Sequence, residues 1–326
     1  MDEPSHFISC DWGTSNFRLR VVATDSLTVL AEHITQGGVR RHNELFGRQG
    51  ETDRLAFFAA YLREQLAALP SVYRGVPIMI SGMASANIGM QDLPYGTLPI
   101  SPKATGFVYE DLMPWPGQPV RLVSGIKSAT GMMRGEETQA LGLLSIMPDN
   151  KDGILLLPGT HSKHLPYESG RFTDCTSFMT GELFEIISRH GILANSVAAG
   201  EWNARTKTCF EKGVRAGAAD GFSPHLFAIR AGQVLRHTDL TDNYYRLSGL
   251  LIGDELAHLP REKAQEIYLA GSGLLLGLYR CALETLGYGQ RLTVYDDEVH
   301  GKALLTGQRK ILLAARLPDQ SKFYHQ

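Results

Sequence analysis

The sequence has few cysteines and no hydrophobic run long enough to cross a membrane. Its 4 cysteines stand singly: Cys10, Cys175, Cys209 and Cys281. With no C-x-x-C pair and no histidine at ligand spacing, neither a disulfide framework nor a zinc site is indicated. The longest apolar runs, such as 154–157, fall far short of the roughly 20 residues of a transmembrane helix. Acidic residues at the start, where a secretory signal carries positive charge, predict a cytoplasmic protein.

An excess of charge of either sign is also missing. The 32 Lys and Arg residues nearly balance the 34 Asp and Glu residues, for a formal net charge of -2. No general basic field exists that would bind nucleic acid or an anionic membrane surface, so we expect neither partner. An anionic ligand would have to be bound locally. The length of 326 residues and the 43% hydrophobic content indicate a globular protein of about two domains.

The first informative segment is a strand, a polar turn and a second strand. An apolar run from Phe7 ends in Asp11-Trp12-Gly13-Thr14-Ser15, and Phe17, Leu19 and Val21 then alternate with arginines. Successive N–H groups and hydroxyls beside one carboxylate suit phosphate oxygens and a hydrated Mg²⁺. The same residues also suit an ordinary hairpin in which Asp and Ser bind turn amides. This turn alone does not separate the two interpretations.

Hydrophobic periodicity predicts a helix from Asp53 to Leu69, with Asp53 as N-cap, and further elements downstream. The other elements of the first half are a strand at 76–80, a glycine- and serine-bearing loop at 81–89, a strand at 120–123 and a helix at 136–146. The hydrophilic segment 147–153 predicts a boundary, and so two domains, 1–147 and 148–326.

After this boundary the opening pattern returns. A buried strand at 154–157 leads into Pro158-Gly159-Thr160-His161-Ser162-Lys163, which predicts two lobes built on one plan. Two such turns facing one another would hold a polyphosphate, and Lys163 would add positive charge to a transferring phosphoryl group. The second turn lacks an acid where the first has Asp11. For His161 and His164 we favour hydrogen bonding over metal binding, because no further ligands stand nearby.

Two more segments are chemically suggestive. Glu136 and Glu137 stand where a helix is predicted to begin; they either stabilise the helix dipole or place a carboxylate that accepts the proton of an attacking hydroxyl. Gly271-Ser272-Gly273 follows a predicted strand at 267–270 and precedes a helix. Its backbone could lie against a base and ribose, or the glycines could serve helix–sheet packing.

The order of these parts resembles the superfamily of sugar kinases, heat-shock protein 70 and actin. Five blocks narrow the resemblance: D-W-G-T-S-N at 11–16, M-R-G-E-E-T-Q at 133–139, P-G-T-H-S-K at 158–163, F-M-T-G-E-L at 178–183 and S-G-L-L-I-G at 248–253. Together they are similar to the 2-dehydro-3-deoxygalactonokinase family, in that family's order over almost the whole chain. The R-G-E-E-T-Q and M-T-G-E-L strings are the most specific.

The resemblance implies an α/β protein of two ribonuclease H-like lobes, the actin/hexokinase-like ATPase fold, around a central cleft. It also implies ATP-dependent phosphorylation of 2-dehydro-3-deoxy-D-galactonate at its 6-hydroxyl, in galactonate breakdown. By this resemblance Asp11 holds hydrated Mg²⁺, and Glu137 is the general base with Glu136 as the second candidate. The ATP contacts that it implies are Gly13, Thr14, Ser15, Gly159, Thr160, His161, Ser162 and Lys163 for the phosphates, and Gly271, Ser272 and Gly273 for the adenosine.

A sugar-acid substrate needs a cation or a set of donors for its carboxylate. The candidates from the sequence are Arg40, Arg41, Ser85, Asn87 and Lys103. Met90 stands where the family pattern suggests an aromatic residue, which leaves the sugar contacts less defined than the phosphate contacts. The alternatives are a phosphohydrolase related to exopolyphosphatases and a non-catalytic sugar-responsive protein on the same fold. The sequence leaves the oligomeric state open, a homodimer included.

Overall fold

The computed structural model describes residues 3–259 and 265–314. The first two residues of the acidic start, and the end of the predicted second domain beyond Ala314, lie outside the described residues. Within these ranges, no helix has both the length and the apolar character that a membrane span requires.

The described residues contain fifteen strands and nine α-helices. The strands are β1 (His6–Trp12), β2 (Phe17–Ala23), β3 (Val29–Thr35), β4 (Ile78–Gly82), β5 (Gly96–Thr97), β6 (Tyr109–Leu112), β7 (Val120–Val123), β8 (Ile126–Lys127), β9 (Met132–Met133), β10 (Gly153–Leu157), β11 (Ser162–Glu168), β12 (Arg171–Phe172), β13 (Thr176–Phe178), β14 (Glu266–Ala270) and β15 (Leu292–Tyr295). The helices are α1 (Val39–Gln49), α2 (Arg54–Leu66), α3 (Glu136–Leu143), α4 (Thr180–Arg189), α5 (Ala204–Asp220), α6 (Ser223–Arg236), α7 (Leu240–Leu256), α8 (Gly273–Thr285) and α9 (Asp297–Ala314).

The chain forms two compact units. The first comprises the described residues up to Asp149, Gly170–Cys175 and the described residues from His300 onward. The second comprises Asn150–Ser169 and Thr176–Val299. The first boundary falls inside the hydrophilic segment 147–153, but the units are not contiguous stretches of sequence. The division into 1–147 and 148–326 therefore does not describe 170–175 or the residues after Val299.

The first unit is built on a mixed sheet of order β3-β2-β1-β4-β7-β6. Strands β1, β2 and β3 are antiparallel to one another, whereas β1, β4 and β7 run parallel. One face of the sheet packs against α1 and α2 through buried residues such as Cys10, Trp12, Phe58 and Leu62. On the backbone of this sheet, the Gln308 side chain of α9 donates to the carbonyl oxygen of Met79 at 3.2 Å. This contact joins the part of α9 from His300 onward to the first sheet.

The second unit is built on a sheet in which β11, β10, β14 and β15 follow one another in that order, and β13 pairs with β11. Its strands β13, β11 and β10 are antiparallel, and β10, β14 and β15 are parallel. This is the same order and the same set of directions as in the first five strands of the other unit. The predicted repeat of one plan is thus confirmed, and each unit has ribonuclease H-like topology. The fold class is the predicted actin/hexokinase-like ATPase fold.

Glycines bring α5 and α7 of the second unit into backbone contact. A Cβ on Gly249 would lie 2.2 Å from the carbonyl oxygen of Phe210, and one on Gly253 would lie 2.2 Å from that of Val214. No side chain fits at such a distance. The glycines of the S-G-L-L-I-G block are therefore explained by helix packing.

Candidate active site

Asp11 lies near the carboxyl end of β1, where the parallel strands of the first unit end. It pairs in register with Arg18 on β2 and with Ser81 on β4. Burial raises the pKa of Asp11, and the carboxylate of Glu136 raises it further, while the charges of Arg18 and Arg20 lower it. Burial deprives the ionised carboxylate of hydration and so destabilises it. A cation bound here would stabilise the ionised form again.

The N-terminus of α1 packs against the turn that follows Asp11. The N–H group of Val39 donates to the carbonyl oxygen of Gly13 at 2.9 Å, and that of Arg40 donates to Thr14 at 3.1 Å. The turn is thus held by its carbonyl groups. Within the described ranges, the N–H groups of Thr14 and Ser15 have no hydrogen-bond partner. Such unpaired amides in a turn suit the oxygen atoms of an anion.

The glycine at position 13 is not required by the fold. A Cβ on Gly13 would approach only the carbonyl oxygen of Asn16, at an ordinary 3.5 Å. Gly82 in the same unit differs, because its φ is +97° and a Cβ would lie 2.7 Å from the carbonyl oxygen of Trp12. Contacts within the protein therefore explain the glycine at position 82, whereas none of them requires a glycine at position 13.

The paired carboxylates begin α3 at the same edge of the sheet. Gly135, with φ +110°, precedes them, and a Cβ on it would lie 3.5 Å from the Cα atom of Gly82. Glu137 is fully buried; its Oε2 accepts from the N–H group of Gly135 at 2.6 Å, and its Oε1 accepts from the Thr138 hydroxyl at 2.9 Å. Burial, with a smaller contribution from Glu136, raises the pKa of Glu137 to about 8.

Glu136 lies in a different environment from its neighbour. It is half-buried, and its Oε2 accepts from the backbone N–H group of Arg134 at 3.1 Å. Its charge also acts on Asp11. The sequence could not separate the two glutamates, but burial does: Glu136 is the more accessible carboxylate near Asp11.

The predicted sugar contacts are scattered through the first unit. Ser85 is buried at the end of a short 3₁₀ turn, Met83–Ser85, after β4. Asn87 and Lys103 are exposed, as are Arg40 and Arg41 on α1. The hydroxyl of Ser85 accepts from Nη1 of Arg134 at 2.7 Å. Arg134 thus lies against a predicted sugar contact; the sequence analysis does not name it, although its place in R-G-E-E-T-Q is a signal.

The second unit repeats the arrangement of turn and helix. The N–H group of Glu182, in the first turn of α4, donates to the carbonyl oxygen of Thr160 at 3.0 Å. A Cβ on Gly181 would lie 2.5 Å from the carbonyl oxygen of Gly159. Gly159 itself has room, because a Cβ there would meet only the carbonyl oxygen of His161, at 3.9 Å. The M-T-G-E-L block therefore supplies the helix that supports the second turn.

Two of the predicted ATP contacts after this turn have side chains that already bind groups within the protein. Ser162 and Lys163 are buried. The Ser162 hydroxyl is 2.7 Å from that of Tyr279, and Nζ of Lys163 donates to the carbonyl oxygen of His161 at 2.8 Å. They lie on β11, whose residues point alternately into packed faces, so neither is presented as a free phosphate ligand. His161 hydrogen-bonds Glu182 on the exposed side.

A buried carboxylate network lies beneath the second turn. Glu255 of α7 accepts from the hydroxyl of Tyr279 at 2.7 Å and from the hydroxyl of Thr180. Its Oε1 lies 2.9 Å from Nε2 of His164. These hydrogen bonds connect α7 with α8, with β11 and with the start of α4. They therefore hold the strand that follows the turn and the helix that supports it.

Comparison with known proteins identifies the family. A sequence profile of the 2-keto-3-deoxy-galactonokinase family matches residues 11–305. The chain belongs to this family. It is therefore a kinase, and more specifically a phosphotransferase with an alcohol group as acceptor.

Individual relatives cover nearly the whole kinase. A Rhizobium meliloti (strain 1021) protein with the provisional name 2-dehydro-3-deoxygalactonokinase is 35% identical over 310 residues, 92% of this chain and 95% of that protein. The Escherichia coli (strain K12) 2-dehydro-3-deoxygalactonokinase is 27% identical over 290 residues, 87% and 91% of the two chains. A Sinorhizobium meliloti crystal structure with the same provisional name has a TM-score of 0.79 at 31% identity, over 95% of this chain and 98% of that one.

A pocket of about 250 Å³ opens beside the second turn of the kinase. Gly159, Thr180 and Tyr279 line it together with apolar side chains of α7 and α8, among them Leu251 and Leu278. The predicted adenosine residues 271–273 are not part of its lining. They form the entry to α8, where the N–H group of Gly273 donates to Asp297 at 3.0 Å, and the first turn of α8 contributes Leu274 instead.

Proposed function

We propose that this kinase transfers the γ-phosphoryl group of ATP, bound with Mg²⁺, to the 6-hydroxyl of 2-dehydro-3-deoxy-D-galactonate. The observation that carries the proposal is the edge of the first sheet, where Asp11 and Glu136 lie with a turn whose Thr14 and Ser15 amides are unpaired. The names of the relatives support the substrate. The first unit would hold the sugar acid and the first phosphate turn, and the second unit the nucleoside.

The two turns bind phosphate oxygens through their backbones in this proposal. Thr14 and Ser15 offer N–H groups that the fold does not use, and Gly159 to His161 do the same in the second unit. Both turns are supported by a helix N-terminus, whose dipole favours nearby negative charge. The pocket beside Gly159 has the apolar lining that a nucleoside base prefers.

Mg²⁺ fits Asp11 as its protein ligand. The structure holds no group of three or more His, Cys, Asp or Glu side chains arranged for a metal within the described ranges. That suits Mg²⁺, which usually keeps several waters and binds one or two carboxylates together with substrate phosphates. When bound, the ion would neutralise charge that develops on the transferring phosphoryl group.

We assign the general base to Glu136 rather than Glu137. A base must reach the hydroxyl proton that it accepts, and Glu137 is fully buried with both oxygens already hydrogen-bonded. Glu136 is half-buried and close enough to Asp11 to raise its pKa. Glu137 then positions the start of α3 through the N–H group of Gly135.

An assay of substrate-dependent ATP consumption tests the proposal. The purified protein is incubated with ATP, Mg²⁺ and 2-keto-3-deoxy acids derived from galactonate and from gluconate, and ADP and the phosphorylated acid are quantified. We expect ADP to form in step with the 6-phosphorylated galactonate-derived acid. ATP hydrolysis that no sugar acid stimulates would instead identify a phosphohydrolase and overturn the proposal.

A further inference from the structure

Arg134 is held rigidly at the entry to α3. It follows β9 and precedes Gly135, and its side chain is half-buried. The guanidinium carbon lies 4.2 Å from the ring centroid of Tyr95, and Nε donates to the Tyr95 hydroxyl at 3.4 Å. A planar guanidinium that stacks on an aromatic ring is pre-oriented, so little of its freedom remains to be lost on binding.

Only part of the hydrogen-bonding capacity of Arg134 is used. Nη1 donates to the hydroxyl of Ser85 at 2.7 Å and to its carbonyl oxygen. Among the residues that the structure describes, Nη2 has no hydrogen-bond partner and no carboxylate forms an ion pair with the guanidinium. The side chain is thus a half-buried cation with an unpaired donor edge.

We propose that Arg134 binds the substrate carboxylate and thereby selects sugar acids over neutral sugars. This inference rests on the proposed function. The backbone N–H group of Arg134 contacts the Glu136 carboxylate, while its guanidinium extends to Ser85. The carboxylate and the 6-hydroxyl of the substrate likewise stand at opposite ends of a six-carbon chain. An acid held by the guanidinium would therefore extend toward Glu136.

Arg134 suits this role better than the cations named from the sequence. Arg40, Arg41 and Lys103 are exposed, and charge pairs in full contact with water contribute little. Arg18 also lacks a partner at its buried Nε, but it faces Asp11 across β1 and β2. Its charge therefore acts at the phosphate end of the site. The guanidinium of Arg134 contacts Ser85 and stacks on Tyr95, and the backbone N–H group of the same residue donates to Glu136.

Arg54 offers a matched control. It also holds the loop that follows β4, because its Nη1 donates to the carbonyl oxygens of Ile88 and Gly89, each at 3.2 Å. Its guanidinium also stacks on an aromatic ring, 4.4 Å from the centroid of Phe46. If Arg134 merely held the loop, replacing either arginine would have the same consequences.

The test compares two substrates across variants. The wild type, Arg134→Gln, Arg134→Lys and Arg54→Gln are assayed with 2-dehydro-3-deoxy-D-galactonate and with the neutral 3-deoxyhexulose that carries a hydroxymethyl group in place of the carboxylate. We expect Arg134→Gln to lower kcat/KM for the acid by about 10- to 100-fold, the usual effect of losing a charged hydrogen bond. Turnover of the neutral sugar stays near its wild-type value. Arg134→Lys is intermediate, because it keeps the charge and loses the planar fork.

The outcomes separate the possible failures. Equal losses for acid and neutral sugar in Arg134→Gln, matching those of Arg54→Gln, would make Arg134 a support of the loop and overturn the inference. A wild type that phosphorylates neither compound would overturn the proposed function itself. Should Arg134→Gln unfold, as judged by circular dichroism, Arg134→Lys with added guanidinium ion serves instead: selective recovery of acid turnover supports the inference, and its absence counts against it.

Discussion

The Cβ position of Gly307 in α9 lies 1.9 Å from the carbonyl oxygen of Thr138 in α3. A Cβ added to Gly142 in α3 would lie equally close to the carbonyl oxygen of Ala303 in α9, at 1.9 Å. The two helices therefore cross in backbone contact. Because α3 begins with Glu136 and Glu137, this crossing sets the position of both carboxylates.

Gly307→Ala should destabilise the protein, since a methyl group cannot be placed so close to backbone without moving a helix. We expect a loss of about 1–3 kcal/mol in the free energy of unfolding, the usual effect of overpacking. Gly301→Ala in the same helix is the control, because nothing lies within 4 Å of its Cβ position. It should gain about 0.5–1 kcal/mol from helix propensity. Urea unfolding of both variants checks this, and equal stability of the two would contradict the packing argument.

Gly13→Ala and Gly159→Ala should leave the fold intact and weaken ATP binding. Neither added methyl group meets protein atoms closer than 3.5 Å, so the melting temperature should stay unchanged. If the space holds phosphate, KM for ATP should rise by about tenfold or more, the effect of losing a charge-assisted hydrogen bond. Thermal melts and ATP titrations check both parts. Wild-type KM in both variants would remove the phosphate assignment of the turns.

Asp11→Asn should remove activity while maintaining or raising stability. Burial raises the pKa of Asp11 in the folded state. Such a group stabilises the protein in its neutral form, and that contribution is lost as pH rises through the folded pKa. A neutral amide avoids the loss, but it is a poor ligand for Mg²⁺, so kcat/KM should fall about 100-fold or more. Kinetics with varied Mg²⁺ and melts at neutral pH test this; wild-type turnover would exclude Asp11 as the metal ligand.

Glu137→Gln should change how stability depends on pH. The pKa of Glu137 rises from 4.5 to about 8 on folding, so its stabilising contribution is complete below about pH 4.5 and is lost as pH rises to about 8. Glutamine does not titrate. The melting temperature of the variant minus that of the wild type should therefore increase from acidic to alkaline pH.

The same glutamates can be separated by kinetics. With Glu136 as the base, Glu136→Gln should lower kcat much more than Glu137→Gln, while KM for ATP changes little in either variant. If only Glu137→Gln abolished kcat, and if the wild-type rate rose with an apparent pKa near 8, the two roles would be exchanged.

Tyr279→Phe should destabilise the protein and weaken ATP binding at the second turn. The Tyr279 hydroxyl donates to Glu255 and lies 2.7 Å from the Ser162 hydroxyl. Its removal leaves a buried carboxylate with one donor fewer, so we expect a loss of about 1–3 kcal/mol together with a higher KM for ATP. Tyr268→Phe is the control, since Tyr268 is equally buried and its hydroxyl donates to the carbonyl oxygen of Lys151. Chemical unfolding and ATP titration of both variants give the comparison.

The sequence predicted well those elements that depend on hydrophobic periodicity and on helix capping, both of which involve residues close together in the chain. Helix α2 has the expected N-cap, with the Asp53 side chain accepting from the N–H group of Ala56 at 2.9 Å. Strand β7 has the expected bounds, and the Gly-Thr turns lie between strands as predicted. Each of these depends on neighbours in the chain, which is the information that a pattern contains.

Features that depend on distant contacts could not be predicted in this way. Ser162 is buried against Tyr279 of α8, and Glu137 is fully buried at the start of α3. The sequence shows only that both residues are polar. The sequence does not indicate a role for Arg134, because its hydrogen-bond partner Ser85 stands 49 positions away. The return of the chain to the first unit at His300 likewise depends on the contact between Gln308 and β4.

The chain changes unit at 149/150, 169/170, 175/176 and 299/300. Neither unit is therefore one continuous stretch of sequence, and no single cleavage of the chain would separate the two units. During synthesis the residues of α9 from His300 onward follow the whole of the second unit, so the sheet of the first unit forms before Gln308 can donate to the carbonyl oxygens of Cys10 in β1 and Met79 in β4. Removal of the residues of α9 that include Gln308 should consequently destabilise the first sheet, whose strands lie in the N-terminal part of the sequence.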